Sequence, residues 1–273
     1  MQLGIFAKTF PGLDPLSVLS AVRDNGYAAT QFNLACCGLP SMPDAVPGSA
    51  ITAVRAAAET TGVSLVALSG TYNMAHPDIS VRQSGLRQLA VVIETAAALS
   101  IPLVTLCTGT RDANDQWVHH PDNTDPSAWA DMATEMSQAL ALAEKHGVDL
   151  GIEPEQANIV TSAEDAKRLI AEMGSRRLRI VLDPANLFEK ATPSEALAIV
   201  ERAIGTAAGN IAMAHAKDRH ADGRFATAGQ GIVDFPDFIA RLKAVGFDGA
   251  LVTHGLSASE APQVAAFLKG LVQ

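Results

Sequence analysis

Short apolar runs recur eight times along this 273-residue chain, each followed by a stretch with helical spacing. That alternation limits the fold more than any other feature. The runs are Leu3–Ala7, Ala28–Phe32, Ser64–Ser69, Leu103–Cys107, Val148–Ile152, Leu178–Leu182, Ile211–Ala214 and Ala250–Thr253. Each has the length and apolar character of a strand buried on both faces, as in a parallel sheet. Between them apolar residues fall three or four apart. Leu86, Leu89, Ala90, Ile93 and Ala97 mark one such stripe, and Trp129, Met132, Met136, Leu140 and Ala143 mark another, the pattern of helices with one buried face. Helix starts are written in as well. Asp14 and Asp125 precede prolines as N-caps, and "TSAE", "TPSE" and "SASE" have capping-box spacing. Gly26, Gly62, Gly147, Gly174 and Gly246 follow helical stretches, where a left-handed residue ends a helix.

Eight strand–helix pairs in this length predict an α/β fold, a single (β/α)8 TIM barrel over residues 1–273 with no linker and no second domain. An open doubly wound sheet would call for a G-x-G-x-x-G turn after an early strand, and the chain has none.

Composition narrows the partners. The net charge is -9 and no basic cluster occurs, which excludes nucleic acid and anionic membranes as expected partners. No apolar run approaches the roughly 18 residues of a membrane span. The opening "MQLGIFAKTFPG" enters a strand pattern without a signal-peptide segment, so a cytoplasmic location is expected. Cys36, Cys37 and Cys107 form neither a disulfide framework nor a C-x-x-C metal pair. They read as reduced thiols.

In a barrel of this kind the active site is built at the C-terminal ends of the strands. The fifth run ends in Glu153 ("LGIEPE"), the sixth in Asp183 ("RIVLDPANLF"), the seventh in His215 ("IAMAHAKD") and the eighth in His254 ("ALVTHG"). Singly, each has an ordinary explanation, such as a turn cap or a hydrogen-bonded histidine. Together, two carboxylates and two imidazoles on four consecutive strands at one depth predict a site for one divalent metal ion. The mixed oxygen and nitrogen donors suit Mn, Co, Zn or Fe better than Mg.

These residues resemble the xylose isomerase-like TIM-barrel superfamily, the sugar phosphate isomerase/epimerase group. The likeness spans nearly the whole chain and is densest in "GIEPE", "VLDPANLF", "AHAKD" and "GQGIVDFPDFIARLKAVGFDGALVTHG". In that family the strand-end ligands are Glu, Asp, His and Glu. Glu153, Asp183 and His215 match the first three, and His254 stands where the last Glu is expected. Asn186 stands where many relatives carry a His. The resemblance implies proton abstraction next to a carbonyl through an enediolate, on a small-molecule carbohydrate, as a metal-dependent sugar or sugar phosphate isomerase or epimerase. A dehydratase or other lyase acting on a keto sugar or cyclitol is the alternative. A non-enzymatic sugar-binding barrel and an abasic-site endonuclease are further alternatives. The endonucleases need extra His and acidic ligands and a basic face, whereas Cys107 and Thr108 end the fourth run here.

Under this reading Glu153 is the general base, and His254 is a ligand, an opposing base or both. With one imidazole where paired carboxylates are expected, isomerisation or a one-base elimination is favoured over 3-epimerisation. Lys217 is expected to aim at a substrate oxygen, oriented by Asp218, and Glu155 points into the same mouth if the chain stays extended. The long loop "GTRDANDQWVHHPDNTDP" reads as a lid. It offers Arg111 for an anionic group, Trp117 for a sugar ring, and His120. "NMAHPD" offers Asn73 and His76 as a substrate rim, with Gln31 and Lys8 at other strand ends. The sequence leaves open a homo-oligomer and whether the substrate is phosphorylated.

Overall fold

The structure is a computed structural model and describes residues 1–272. Eight strands form a closed barrel in which every strand is parallel to its neighbours: β1 (Gln2–Phe6), β2 (Ala29–Phe32), β3 (Ser64–Ser69), β4 (Leu103–Leu106), β5 (Asp149–Ile152), β6 (Leu178–Leu182), β7 (Ile211–Ala216) and β8 (Ala250–Thr253). They follow one another around the ring in chain order, and β8 closes onto β1 with Gln2 opposite Ala250. Outside them run α1 (Pro15–Asp24), α2 (Gly48–Thr61), α3 (Ile79–Ala98), α4 (Pro126–His146), α5 (Ala163–Met173), α6 (Pro193–Ala207), α7 (Phe235–Ala244) and α8 (Ala261–Val272). This is the (β/α)8 barrel expected from the alternation, with strand ends displaced by at most two residues.

The strands are buried on both sides for two reasons. Ala67, Leu103, Val181, Met213, Ala250 and Val252 fill the barrel interior as a separate apolar cluster. A larger cluster joins the outer strand faces to the helices, including Leu89 and Ile93 of α3 and Met132, Met136 and Leu140 of α4. Removing apolar area from water at roughly 25 cal/mol per Å2 is the main driving force here. Truncation of a fully buried ring such as Phe238 is therefore a change of about 3–5 kcal/mol.

The caps follow local chemistry. Asp14 and Asp125 accept from the backbone N–H groups of Ser17 and Ser127. Thr192 and Glu195 form a reciprocal capping box on α6. The "TSAE" cap is displaced by one residue: α5 starts at Ala163, so Ser162 caps it by accepting from Asp165 N–H. In "SASE", Glu260 reaches back to Ser257 N–H across the turn before α8. Gly62, Gly147 and Gly174 close α2, α4 and α5 in the left-handed conformation.

One element was not expected. After β7 a short antiparallel ribbon pairs Asp218–Arg219 with Phe225–Ala226. Asp218 organises it. Fully buried, it accepts from the backbone N–H groups of Arg219, Gly229, Gly231 and Val233. A Cβ at Gly231 would collide with that carboxylate and with the Arg219 carbonyl, so the position requires glycine. Among the described residues no helix is long and apolar enough to cross a membrane.

Candidate metal centre and its cavity

Glu153, Asp183 and His254 each follow directly on the last residue of a strand, and His215 lies near the end of β7. Barrel closure brings these side chains together. One donor atom from each of the four lies within 4.8 Å of the others. His215 Nδ1 is 3.3 Å from Glu153 Oε1 and 3.6 Å from Asp183 Oδ2. His254 Nε2 is 3.0 Å from Asp183 Oδ2, and the two imidazole rings lie 4.4 Å apart. Asp183 Oδ1 accepts from Ala185 N–H at 2.9 Å, which fixes the carboxylate's rotation.

The partners behind these groups set their orientation. The Gln31 amide donates to Ser69 Oγ and Thr105 Oγ1, each at 3.1 Å. Its oxygen therefore faces His215 Nε2 at 2.9 Å. That contact puts the proton on Nε2 and leaves Nδ1 turned to the carboxylates, the usual outer support of a ligating histidine. Asn186 donates to Glu153 Oε1 at 2.7 Å and accepts from Lys217 Nζ at 3.1 Å. Lys217 Nζ also lies 3.4 Å from the centre of the Phe225 ring, whose other cationic neighbour is Arg219 at 4.1 Å.

The electrostatics show that the cluster demands positive charge. Burial opposes ionisation of Asp183, yet hydrogen bonds from His215 and His254 hold its carboxyl well below the usual range. Burial also works against a charged His215, but the Glu153 charge and hydrogen bonds to both carboxylates raise it to about 9. Burial and the charge of His215 push His254 down. A cluster that pulls a proton onto one buried imidazole and leaves the other neutral is an anionic hole with nitrogen donors. The donor set fits a divalent cation, which would supply that charge in place of the proton. Burial, then the Glu153 charge, pushes Glu155 up to about 7, against the pull of Lys217.

Above the cluster lies a cavity of about 540 Å3, lined among others by Lys8, Gln31, Trp117, Glu153, Glu155, Asn186, His215, Lys217, Phe225 and His254. Asn73, His76, Arg111 and His120 do not line it, although the loop sequences suggested a substrate role for each. Arg111 pairs with Asp131 at 2.8 Å and donates to the Ala75 carbonyl. Asn73 Oδ1 accepts from Ala75 and Thr110 N–H groups and holds two loops together. His76 spans from Asp78 N–H to the Ala113 carbonyl, and His120 caps the turn at Pro121–Thr124. Loop backbone needs such partners wherever it leaves water, so polar loop residues are consumed as staples. Asp218 does not orient Lys217, since both of its oxygens serve the ribbon; Asn186 and Phe225 hold the lysine instead.

Phe225, Ser69, Thr105 and Gln116 are cavity residues that the sequence did not single out. The D-G pair at Asp222–Gly223 is a hairpin signal and marks the ribbon that carries Phe225. The two hydroxyls sit inside apolar runs with nothing local to distinguish them.

No curated protein matches this chain by sequence. Among solved structures, the apo form of the 3-keto-D-glucoside 4-epimerase YcjR from E. coli superposes with a TM-score of 0.78 at 18% identity, over 99% of each chain. D-Psicose 3-epimerase from Clostridium cellulolyticum H10, solved with D-tagatose, gives 0.75 at 16% identity over 100% of each. The IOLI protein with a binding zinc atom gives 0.74 at 17% identity, over 100% of this chain and 98% of that one. At such identities the likeness establishes the fold. The sequence model for the xylose isomerase-like TIM barrel matches residues 19–271, and with nearly the whole barrel inside that match, the chain belongs to the xylose isomerase-like TIM barrel family.

Proposed function

We propose that this protein is a divalent-metal-dependent isomerase or epimerase of a small sugar, moving a proton on a carbon next to a carbonyl. One juxtaposition carries the reading: four ligand-type side chains converge within 4.8 Å at the floor of a cavity that also holds Glu155, Asn186 and Lys217. Glu153, Asp183 and His215 would hold the ion, with His254 as the fourth ligand. When bound, a divalent cation polarises the oxygens of a keto or hydroxy sugar and acidifies the neighbouring C–H. The substrate class is supported by the solved relatives, which include epimerases of 3-keto-D-glucoside and D-psicose.

Glu153 takes the proton. Its Oε1 accepts from Asn186, while Oε2 has no hydrogen-bond partner among the described residues and is left to face substrate. Asn186 holds the Glu153 carboxylate and the Lys217 ammonium at fixed positions, so no reorganisation is needed as charge moves. Lys217 presents its ammonium to a substrate oxygen, steadied by the Phe225 ring. His254 is turned to Asp183 and packed beside His215, which commits its Nε2 to the floor of the site. Glu155 leaves the barrel on the same segment as Glu153, so no carboxylate approaches from the β8 side. One base on one face favours proton transfer between adjacent carbons over inversion of a centre. The same arrangement serves a one-base elimination, the lyase reading.

The test is incubation of metal-loaded protein in D2O with a panel of ketoses, keto-cyclitols and their phosphates. Metal-dependent deuterium at one carbon, with product mass otherwise unchanged, is the expected result. Loss of water from the product would move the protein to the lyases, and no metal-dependent exchange with any member would overturn the proposal.

A further inference from the structure

A second, more open cleft of about 780 Å3 adjoins the metal cavity. Thr71, Gln116 and Trp117 line both, so the two spaces share one wall. Ligand pockets commonly run to about 300–1,000 Å3, and the outer space is an open cleft within that range.

Gln116 and Trp117 of that wall belong to the β4–α4 loop, whose base is fixed. Asn123 Oδ1 accepts from Thr110 Oγ1 and from Arg111 N–H at 2.7 Å, and Asp112 Oδ1 accepts from two successive backbone N–H groups. From that base Trp117 projects with 53% of its surface exposed. One face of the indole is thus open to the cleft. Loop and rim side chains elsewhere in the cleft are consumed as staples, as Asn73, His76 and Asp112 show. Thr71, Ser84, Asn114 and Gln116 differ: their side chains make no hydrogen bond to protein among the described residues. These hydroxyls and amides line the cleft together with Trp117.

A flat apolar face beside uncommitted hydroxyl and amide groups matches a pyranose ring, which has apolar faces and a hydroxyl rim. The charge argues against an anionic group. The cleft is lined by Asp112 and Asp115 and by no Lys or Arg, so a phosphate or nucleotide would meet repulsion and no counter-charge. Resting on the proposed sugar chemistry at Glu153, we infer that the outer cleft is a binding subsite for an uncharged second sugar ring, and that the substrate is a keto-glycoside or disaccharide with its reacting ring over the metal cluster and its linkage passing Trp117.

Ser84 lies on α3 and lines the outer cleft but not the inner cavity, so Ser84→Trp is directed at the outer cleft. For metal-loaded native protein, deuterium exchange should run with a kcat/KM about tenfold higher on keto-disaccharides and keto-glycosides than on the matching monosaccharides. Ser84→Trp should abolish that advantage and leave the monosaccharide rate within about twofold. Equal kcat/KM for both classes in the native protein, or an equal loss of both in the variant, overturns the subsite while leaving the proposed function standing. If neither class exchanges, the proposed function falls, and binding decides the subsite alone. Titration of Trp129→Phe protein with cellobiose, maltose and glucose then reads the Trp117 fluorescence. Quenching by a disaccharide but not by glucose, lost in Ser84→Trp, upholds the subsite. No difference between disaccharides and glucose overturns it.

Discussion

Gln31 and His215 lie 184 residues apart in sequence and meet at 2.9 Å, amide oxygen to Nε2. The contact sets which imidazole nitrogen faces the carboxylates, so it acts on the candidate metal cluster without belonging to it. Gln31→Ala should lower metal affinity roughly 10–100-fold, the usual cost of losing an outer partner of a ligating histidine. Competition against a chromogenic chelator measures this directly, and an unchanged affinity would show that the carboxylates alone orient His215.

Asp183→Ala should strip the metal. It removes the carboxylate that both imidazoles contact and leaves two histidines with less reason to be anchored. Elemental analysis after gel filtration reads the outcome. Full metal content in that variant would remove Asp183 from the ligand set.

Glu153→Gln should slow substrate deuterium exchange by about 10²–10⁴-fold, the contribution of a placed general base. His254→Glu should retain metal, because it replaces one donor by another, and it adds a carboxylate on the β8 side. If that variant gained inversion at carbon where the native protein showed only isomerisation, the one-base reading would be supported. Efficient inversion by the native protein would refute it.

Trp117→Ala should raise KM several-fold, consistent with the loss of an aromatic contact of about 0.5–1.5 kcal/mol, with kcat little altered. His120→Ala should leave both parameters unchanged, since His120 only caps a turn. Steady-state kinetics on the two variants separates a substrate wall from ordinary surface, and identical behaviour of the pair would remove Trp117 from the site.

Asp218→Ala should destabilise the fold far more than the loss of an exposed helix cap. It strands four backbone N–H groups around a buried position, and each unsatisfied buried donor costs about 1–3 kcal/mol. Even with partial relaxation, a loss of at least ~3 kcal/mol follows by that measure. Thr192→Ala, which removes one exposed cap, should cost only about 1 kcal/mol. Denaturant unfolding of both variants compares them, and similar midpoints would mean that the ribbon rearranges freely.

The barrel and the four metal-type side chains are legible from the sequence because the information is local. Strand length, helical spacing and caps are written within about ten residues of one another. Once eight strands are counted, the strand-end residues Glu153, Asp183, His215 and His254 must share one mouth. What surrounds them is decided by closure. Gln31, Ser69 and Thr105 come from three different strands and become one support for His215 only when the sheet curls into a ring. Arg111, Asn73, His76 and His120 illustrate the converse. A polar loop residue looks the same in sequence whether it lines the metal-side cavity or bonds loop backbone, and only the packed loop shows these four outside that cavity and bonded to backbone. Phe225 reaches Lys217 because Asp218 gathers four backbone donors from a loop that has no helical or strand period. Periodicity reports which face of an element is buried. Which side chains then meet depends on contacts between residues distant in sequence, and those exist only in the closed barrel.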